Sequence, residues 1–179
     1  MNKHILLFFI FTLATGSIIA QECVVHEEND HNIVHHRLAA GFGYTFVPKG
    51  EDVMNDKDGI LVPTLAVKYL YKFSHTWSAE LMVDLELIEY VITESDDFLT
   101  RKNALIIAAV GIYEPIEYWG VFAGGGIEIE QHHNFAVLRA GTAYEFQIGH
   151  DWDITPSLVF DFKEEYTSWT LMLSAGKHF

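Results

Sequence analysis

Thr167-Ser-Trp-Thr-Leu-Met-Leu-Ser-Ala-Gly-Lys-His-Phe179 ends the chain. Every second residue from Trp169 gives Trp169, Leu171, Leu173, Ala175, Lys177 and Phe179, a largely apolar set with an aromatic at each end. Between them lie Ser168, Thr170, Met172, Ser174, Gly176 and His178, which are mostly small or polar. A period of two residues means a strand with unlike faces. A soluble sheet gains little from a terminal aromatic on its outer face. A strand closing a membrane barrel places one in the interfacial girdle.

The same alternation runs back through the chain. From Val34, the set His36, Leu38, Ala40, Phe42, Tyr44, Phe46 opposes Arg37, Ala39, Gly41, Gly43, Thr45. Further strands are predicted over 61–73, 77–88, 103–113, 119–130, 135–147 and 152–163, with the last over 167–179. The strand at 103–113 is apolar on both faces, so its register is left open. The result is an all-β, eight-stranded antiparallel up-and-down transmembrane β-barrel. Its spans exceed the roughly 5–6 residues of ordinary strands and suit the roughly 9–11 of a tilted membrane strand.

Aromatics recur at one end of successive hairpins, as Tyr71 and Trp77, Tyr113 and Trp119, Tyr144 and Trp152. This is an interfacial belt written in sequence. Trp169 and Tyr166 are expected near the opposite belt, and Phe179 at the first. Short turns at 74–76, 114–118 and 149–151 read as periplasmic. Longer connections at 48–60 and 92–102 read as extracellular, while 131–134 and 164–167 are short and do not help. Both termini are then periplasmic. Met54-Asn-Asp-Lys-Asp-Gly59 has the look of a calcium loop, but Met54 stands in place of the first carboxylate and the closing Glu is missing, so it reads as a hairpin loop.

Residues 1–20 have a short basic start, an apolar core over Ile5 to Leu13 and a small-residue tract ending at Ala20, the pattern of a secretory signal peptide. A membrane anchor needs about 20 apolar residues, more than this core offers. Residues 21–33 form a polar, His-rich periplasmic leader, and the barrel occupies 34–179. The lone Cys23 has no partner for a disulfide, and Gln21-Glu22 before it is a poor lipidation signal. The formal net charge is −14, and removing Lys3 with the signal peptide makes it one unit more negative. Such a surface does not suit nucleic acid, which needs clustered Lys and Arg.

Two groups of side chains invite a divalent metal such as Zn²⁺, Cu²⁺ or Ni²⁺. One is His26, His31, His35 and His36 in and beside the leader; the other is Glu128, Glu130, His132 and His133 at an acidic extracellular mouth. No dedicated cofactor is implied, and a solvated leader gives the same composition. Catalysis finds no constellation: His132 and Glu130 offer a base and its orienter, but Ser95 would have to come from another loop. Alternation puts Arg37, Lys68, Lys72, Arg139 and Lys163 on one face with Glu80, Asp84, Glu86, Glu128, Glu130, Glu145, Asp153 and Asp161. If that face is the lumen, its charges must be paired, and a barrel this narrow is filled rather than open. Alternation alone does not say which face is inside. A soluble lipocalin-like barrel, with the apolar face around a ligand, is the alternative.

With its strands placed, the chain resembles the small eight-stranded outer-membrane barrels, the class of the OmpA transmembrane domain and OmpX, over roughly residues 34–179. The resemblance rests on the signal peptide, the alternating strands, the aromatic belts and Phe179. It implies residence in outer-membrane lipid and recognition of the final strand by the barrel-assembly machinery through Trp169, Leu171, Leu173 and Phe179. Members of the class differ widely in role, and a filled interior without a catalytic constellation points here to a structural or interaction role. Lys177 departs from the family pattern, which has an apolar or aromatic residue there; lysine can snorkel to the headgroups. The oligomeric state stays open.

Overall fold

A computed structural model describes residues 36–48, 50–51, 59–94, 97–130 and 134–179. Eight long strands make the barrel: β1 (His36–Val47), β2 (Ile60–Lys72), β3 (Trp77–Glu86), β4 (Leu105–Ile116), β5 (Trp119–Ile129), β6 (Phe135–Tyr144), β7 (Trp152–Lys163) and β8 (Thr167–His178). Each pairs antiparallel with the next in sequence, and β8 pairs with β1 from Arg37↔His178 to Phe46↔Trp169, which closes the ring. Phe146–Ile148 continues β6 beyond Glu145 against Trp152–Ile154. Closure leaves the main wall without an open edge, the condition for backbone polar groups in hydrocarbon.

The expected strands and faces are observed. Along β8, Trp169, Leu171, Leu173 and Phe179 are exposed, Leu171 by 61 %, while Ser168, Thr170, Met172 and Ser174 are buried. The apolar face therefore points outward and the charged face inward. This overturns the lipocalin-like alternative, which needs an apolar interior. β4 takes the register with Ile106, Ala108, Val110 and Ile112 inward. These residues explain its two apolar faces. Val110 and Ile112 join Met82, Phe122 and Val159 in a buried apolar cluster, and a second holds Val47, Val62, Phe135 and Tyr166. The interior thus mixes apolar packing with its charges.

One end carries the turns after β2, β4 and β6 together with His36 and Phe179 (the turn end). Ser74 Oγ accepts from Trp77 N at 3.1 Å and Thr76 N at 3.3 Å in the first turn. Tyr118 adopts φ 66° and Gly149 φ 80°, left-handed conformations that tight reversals need. The other end carries the longer connections (the loop end). Residues expected there as polar loops instead form a small three-stranded sheet: Glu89–Glu94 pairs with Asp97–Lys102, and Gly50–Glu51 adds to the first. Turn composition marked both stretches as irregular, but two short runs gain their ladder by pairing with each other.

The turn-end belt is assembled both across and along strands. Trp77 faces Tyr113 at 4.9 Å between ring centroids, and Tyr144 lies 4.7 Å from Phe146. Trp119 Nε1 donates to Thr142 Oγ1 at 2.8 Å. Lys177 Nζ sits 5.7 Å from the centre of the Trp152 ring, so the family-atypical cation is held on an aromatic face. At the loop end, Phe46 packs on Trp169 at 5.4 Å. Tyr166, expected in that belt, is buried instead. It shares the inward parity of Ser168, and its hydroxyl reaches acids inside.

Candidate functional site: a network across the barrel interior

The inward set of each strand supplies the site. Arg37 on β1 donates from Nε to Asp153 Oδ2 at 2.7 Å and from Nη2 to Asp153 Oδ1 at 2.5 Å. It also reaches Thr155 Oγ1 at 3.1 Å and lies 3.6 Å from Glu80. Asp153 is on β7, which is not β1's neighbour in the wall, so this bond crosses interior space. Gly176 on the intervening strand makes room for it: a Cβ there would stand about 2.5 Å from Arg37 Nε.

Arg139 on β6 clamps Asp161 of adjacent β7 with Nε and Nη2, at 2.7 and 2.8 Å. Its Nη1 donates to Asp84 of β3 at 2.5 Å. Lys68 on β2 donates to Ser157 on β7 at 3.3 Å. Toward the loop end, Lys163 contacts Glu128, lies 4.0 Å from Glu86 and donates to Tyr166 Oη at 2.8 Å. Tyr166 Oη lies 2.9 and 2.8 Å from the two Glu128 oxygens. The Lys163 ammonium also stands 4.2 Å from the Tyr166 ring centre. Thr45 Oγ1 bonds Thr64 at 2.7 Å and Thr170 at 2.8 Å, joining β2, β1 and β8.

A buried charge is tolerated only when paired and hydrogen-bonded. Of the charges expected inside, Lys72 and Glu145 are only half-buried, near the turn end. Lys72 pairs with Glu114 at 2.7 Å. The others are buried. The planar guanidinium of Arg37 or Arg139 can bind two acids in fixed directions, which suits a role as a cross-brace.

The expected metal groups fare differently. His26, His31, His35, His132 and His133, and Ser95 of the catalytic alternative, lie outside the described residues. His36 opens β1 on the outer face. Its Nδ1 is 2.7 Å from Tyr69 Oη, and its ring stacks near Phe179 at 6.3 Å. Glu128 is engaged by Lys163 and Tyr166, and Glu130 lies buried beside it at the strand end, its amide donating to Asn134 Oδ1 at 3.2 Å. Glu145, Asp153 and His178 form a further group whose ligand atoms lie within 4.8 Å of one another. Sequence parity put the first two inside. It did not reveal that His178, two places beyond Gly176, meets them.

An apolar, aromatic-edged exterior around a charged interior is the arrangement of a transmembrane β-barrel. The fold is that of the small eight-stranded outer-membrane barrels. Solved structures that share it include three from different organisms. Ail, the attachment invasion locus protein of Yersinia pestis, has TM-score 0.53 at 15% identity, covering 81% of this chain and 99% of its own. The outer membrane protein OprG from Pseudomonas aeruginosa has TM-score 0.56 at 12% identity, covering 81% and 96%. Neisserial surface protein A has TM-score 0.55 at 8% identity, covering 80% and 97%. No protein-family model and no curated protein matches the chain.

Proposed function

We propose that this protein is an integral outer-membrane barrel with a closed interior, acting through a structural or interaction role and not through catalysis or solute passage. The observation that carries this reading is the set of bonds between strands that are not neighbours in the wall. Arg37 to Asp153, Arg139 to Asp84, Lys68 to Ser157 and Lys163 to Glu128 all cross the interior. A solute moving along the axis would have to break these pairs and leave buried charges bare. In this reading the short turns and both termini face the periplasm, and the loop end meets the exterior. The final strand, through Trp169, Leu171, Leu173 and Phe179, is what the barrel-assembly machinery reads.

Fractionation with a heated and unheated gel, followed by planar-bilayer recording of the purified protein, tests this reading. The expected result is envelope location, heat-modifiable migration and no steady conductance. A soluble periplasmic protein, or a stable open channel, would overturn it.

A further inference from the structure

We propose that Glu145, Asp153 and His178 form a binding site for a divalent transition ion, of which Zn²⁺ is the best match, inside the turn end of the barrel. The residues come from β7, β8 and the Glu145 interruption beyond β6. His178 Nε2 lies 3.1 Å from Asp153 Oδ2 and 3.3 Å from Glu145 Oε1. A tetrahedral zinc ion with bonds of about 2.0–2.1 Å sets its ligand atoms about 3.3 Å apart. Both separations match that edge.

The shared nitrogen is the second observation. His178 Nε2 is buried between the two carboxylate oxygens, within ion-pairing distance of both and with no well-directed hydrogen bond to either. A proton on Nε2 balances the two carboxylates when no metal is bound. When that proton leaves, three lone-pair donors converge on one point and a divalent ion takes its place. Imidazole with two carboxylates is a donor set suited to zinc.

Around the three ligand atoms stands a shell that would orient them. Arg37 holds both Asp153 oxygens, and Thr155 Oγ1 donates to Asp153 Oδ1 at 2.7 Å. Oδ2 is thereby fixed facing His178 while keeping capacity for a further partner. The backbone of His178 is fixed too, its amide donating to Asp151 O at 2.8 Å. Such outer partners are what preorganise a metal ligand. Arg37 is a nearby positive charge. Two carboxylates and a neutral imidazole beside one guanidinium leave a single negative charge to receive the ion. Glu145 and His178 are half-buried, which gives a path from the turn end.

The test is cobalt and zinc titration of the full chain folded in detergent, comparing wild type with His178→Gln and Glu145→Gln. The leader histidines are present in all three proteins and so cancel. Tetrahedral cobalt bands displaced by zinc are expected in the wild type. Each variant should lose one binding equivalent or weaken it by at least about tenfold, with heat-modifiable migration kept. Identical cobalt spectra and zinc stoichiometry in all three proteins would overturn the site and place any bound ion elsewhere; so would no binding at all. Should His178→Gln fail to fold, Glu145→Gln at the half-buried rim carries the comparison. These readouts do not depend on location or conductance, so the site and the proposed function stand or fall separately.

Discussion

Arg139 grips Asp161 on the adjacent strand with two hydrogen bonds and reaches across the interior to Asp84 with a third. Arg139 and Asp161 are directly opposed in the β6–β7 ladder, so their pairing belongs to the wall. The bond to Asp84 ties that wall to β3. Replacing Arg139 by Met strands two buried carboxylates. The barrel should lose about 3–5 kcal/mol of stability, measured by urea unfolding in lipid vesicles with tryptophan fluorescence. Adding Asp84→Leu and Asp161→Leu to that variant removes the stranded charges and should recover most of the loss.

Leu171 lies mid-strand on the outer face, opposite Leu158 of β7 and Tyr44 of β1. Leu171→Arg places a charge against hydrocarbon and should cost about 2–4 kcal/mol in the same unfolding assay. Lys177→Leu, at the belt, should change stability by less than about 1 kcal/mol, since it removes only a cation from the Trp152 face. Equal effects at the two positions would argue against lipid around β8.

Gly126 stands at a close approach of β4 and β5, where a Cβ would collide with Ile107 O. A Cβ there would lie 2.6 Å from Ala108 Cα and 2.8 Å from Ala108 Cβ. Backbone cannot yield as a side chain can. Gly126→Val should therefore abolish the heat-modifiable folded band on a gel, whereas Ala136→Val, on the neighbouring strand's exposed face, should leave it intact.

Phe179 secures the seam. Its amide donates to His36 O at 3.0 Å, and its ring lies beside His36. Deleting Phe179 should lower the stability of the refolded barrel by only about 0.5–1.5 kcal/mol. If the last strand is also an assembly signal, accumulation in the envelope should fall far more than that loss accounts for. A fall in proportion to stability would mean that Phe179 is merely a seam contact.

Strand positions were legible because a half-apolar strand writes its faces at a period of two. All eight strands are present, with ends shifted by a few residues at 77–88, 103–113 and 135–147, and the register of 103–113 came from the structure alone. The inward charges followed from the same parity, as Arg37, Asp153, Arg139 and Asp161 show. Partners across the interior were not legible. Parity says that Arg139 and Asp84 face inward, but strand tilt and stagger decide that they meet. Tyr166 was misplaced because it lies in a connection, where no run of alternation shows its side. The loop-end sheet was missed because neither short run carries a strong pattern alone.

The sequence by itself determined an all-β chain, the approximate positions of the long strands and, for all but the strand at 103–113, the division into an apolar and a charged face. Local sterics and hydrophobic patterning act within one strand, so they need no knowledge of the rest. Only the tertiary structure decided that the apolar face looks outward, that β8 closes on β1, and that Glu145, Asp153 and His178 converge. Those relations join residues far apart in the chain, and ring closure with its stagger fixes which of them come within bonding distance.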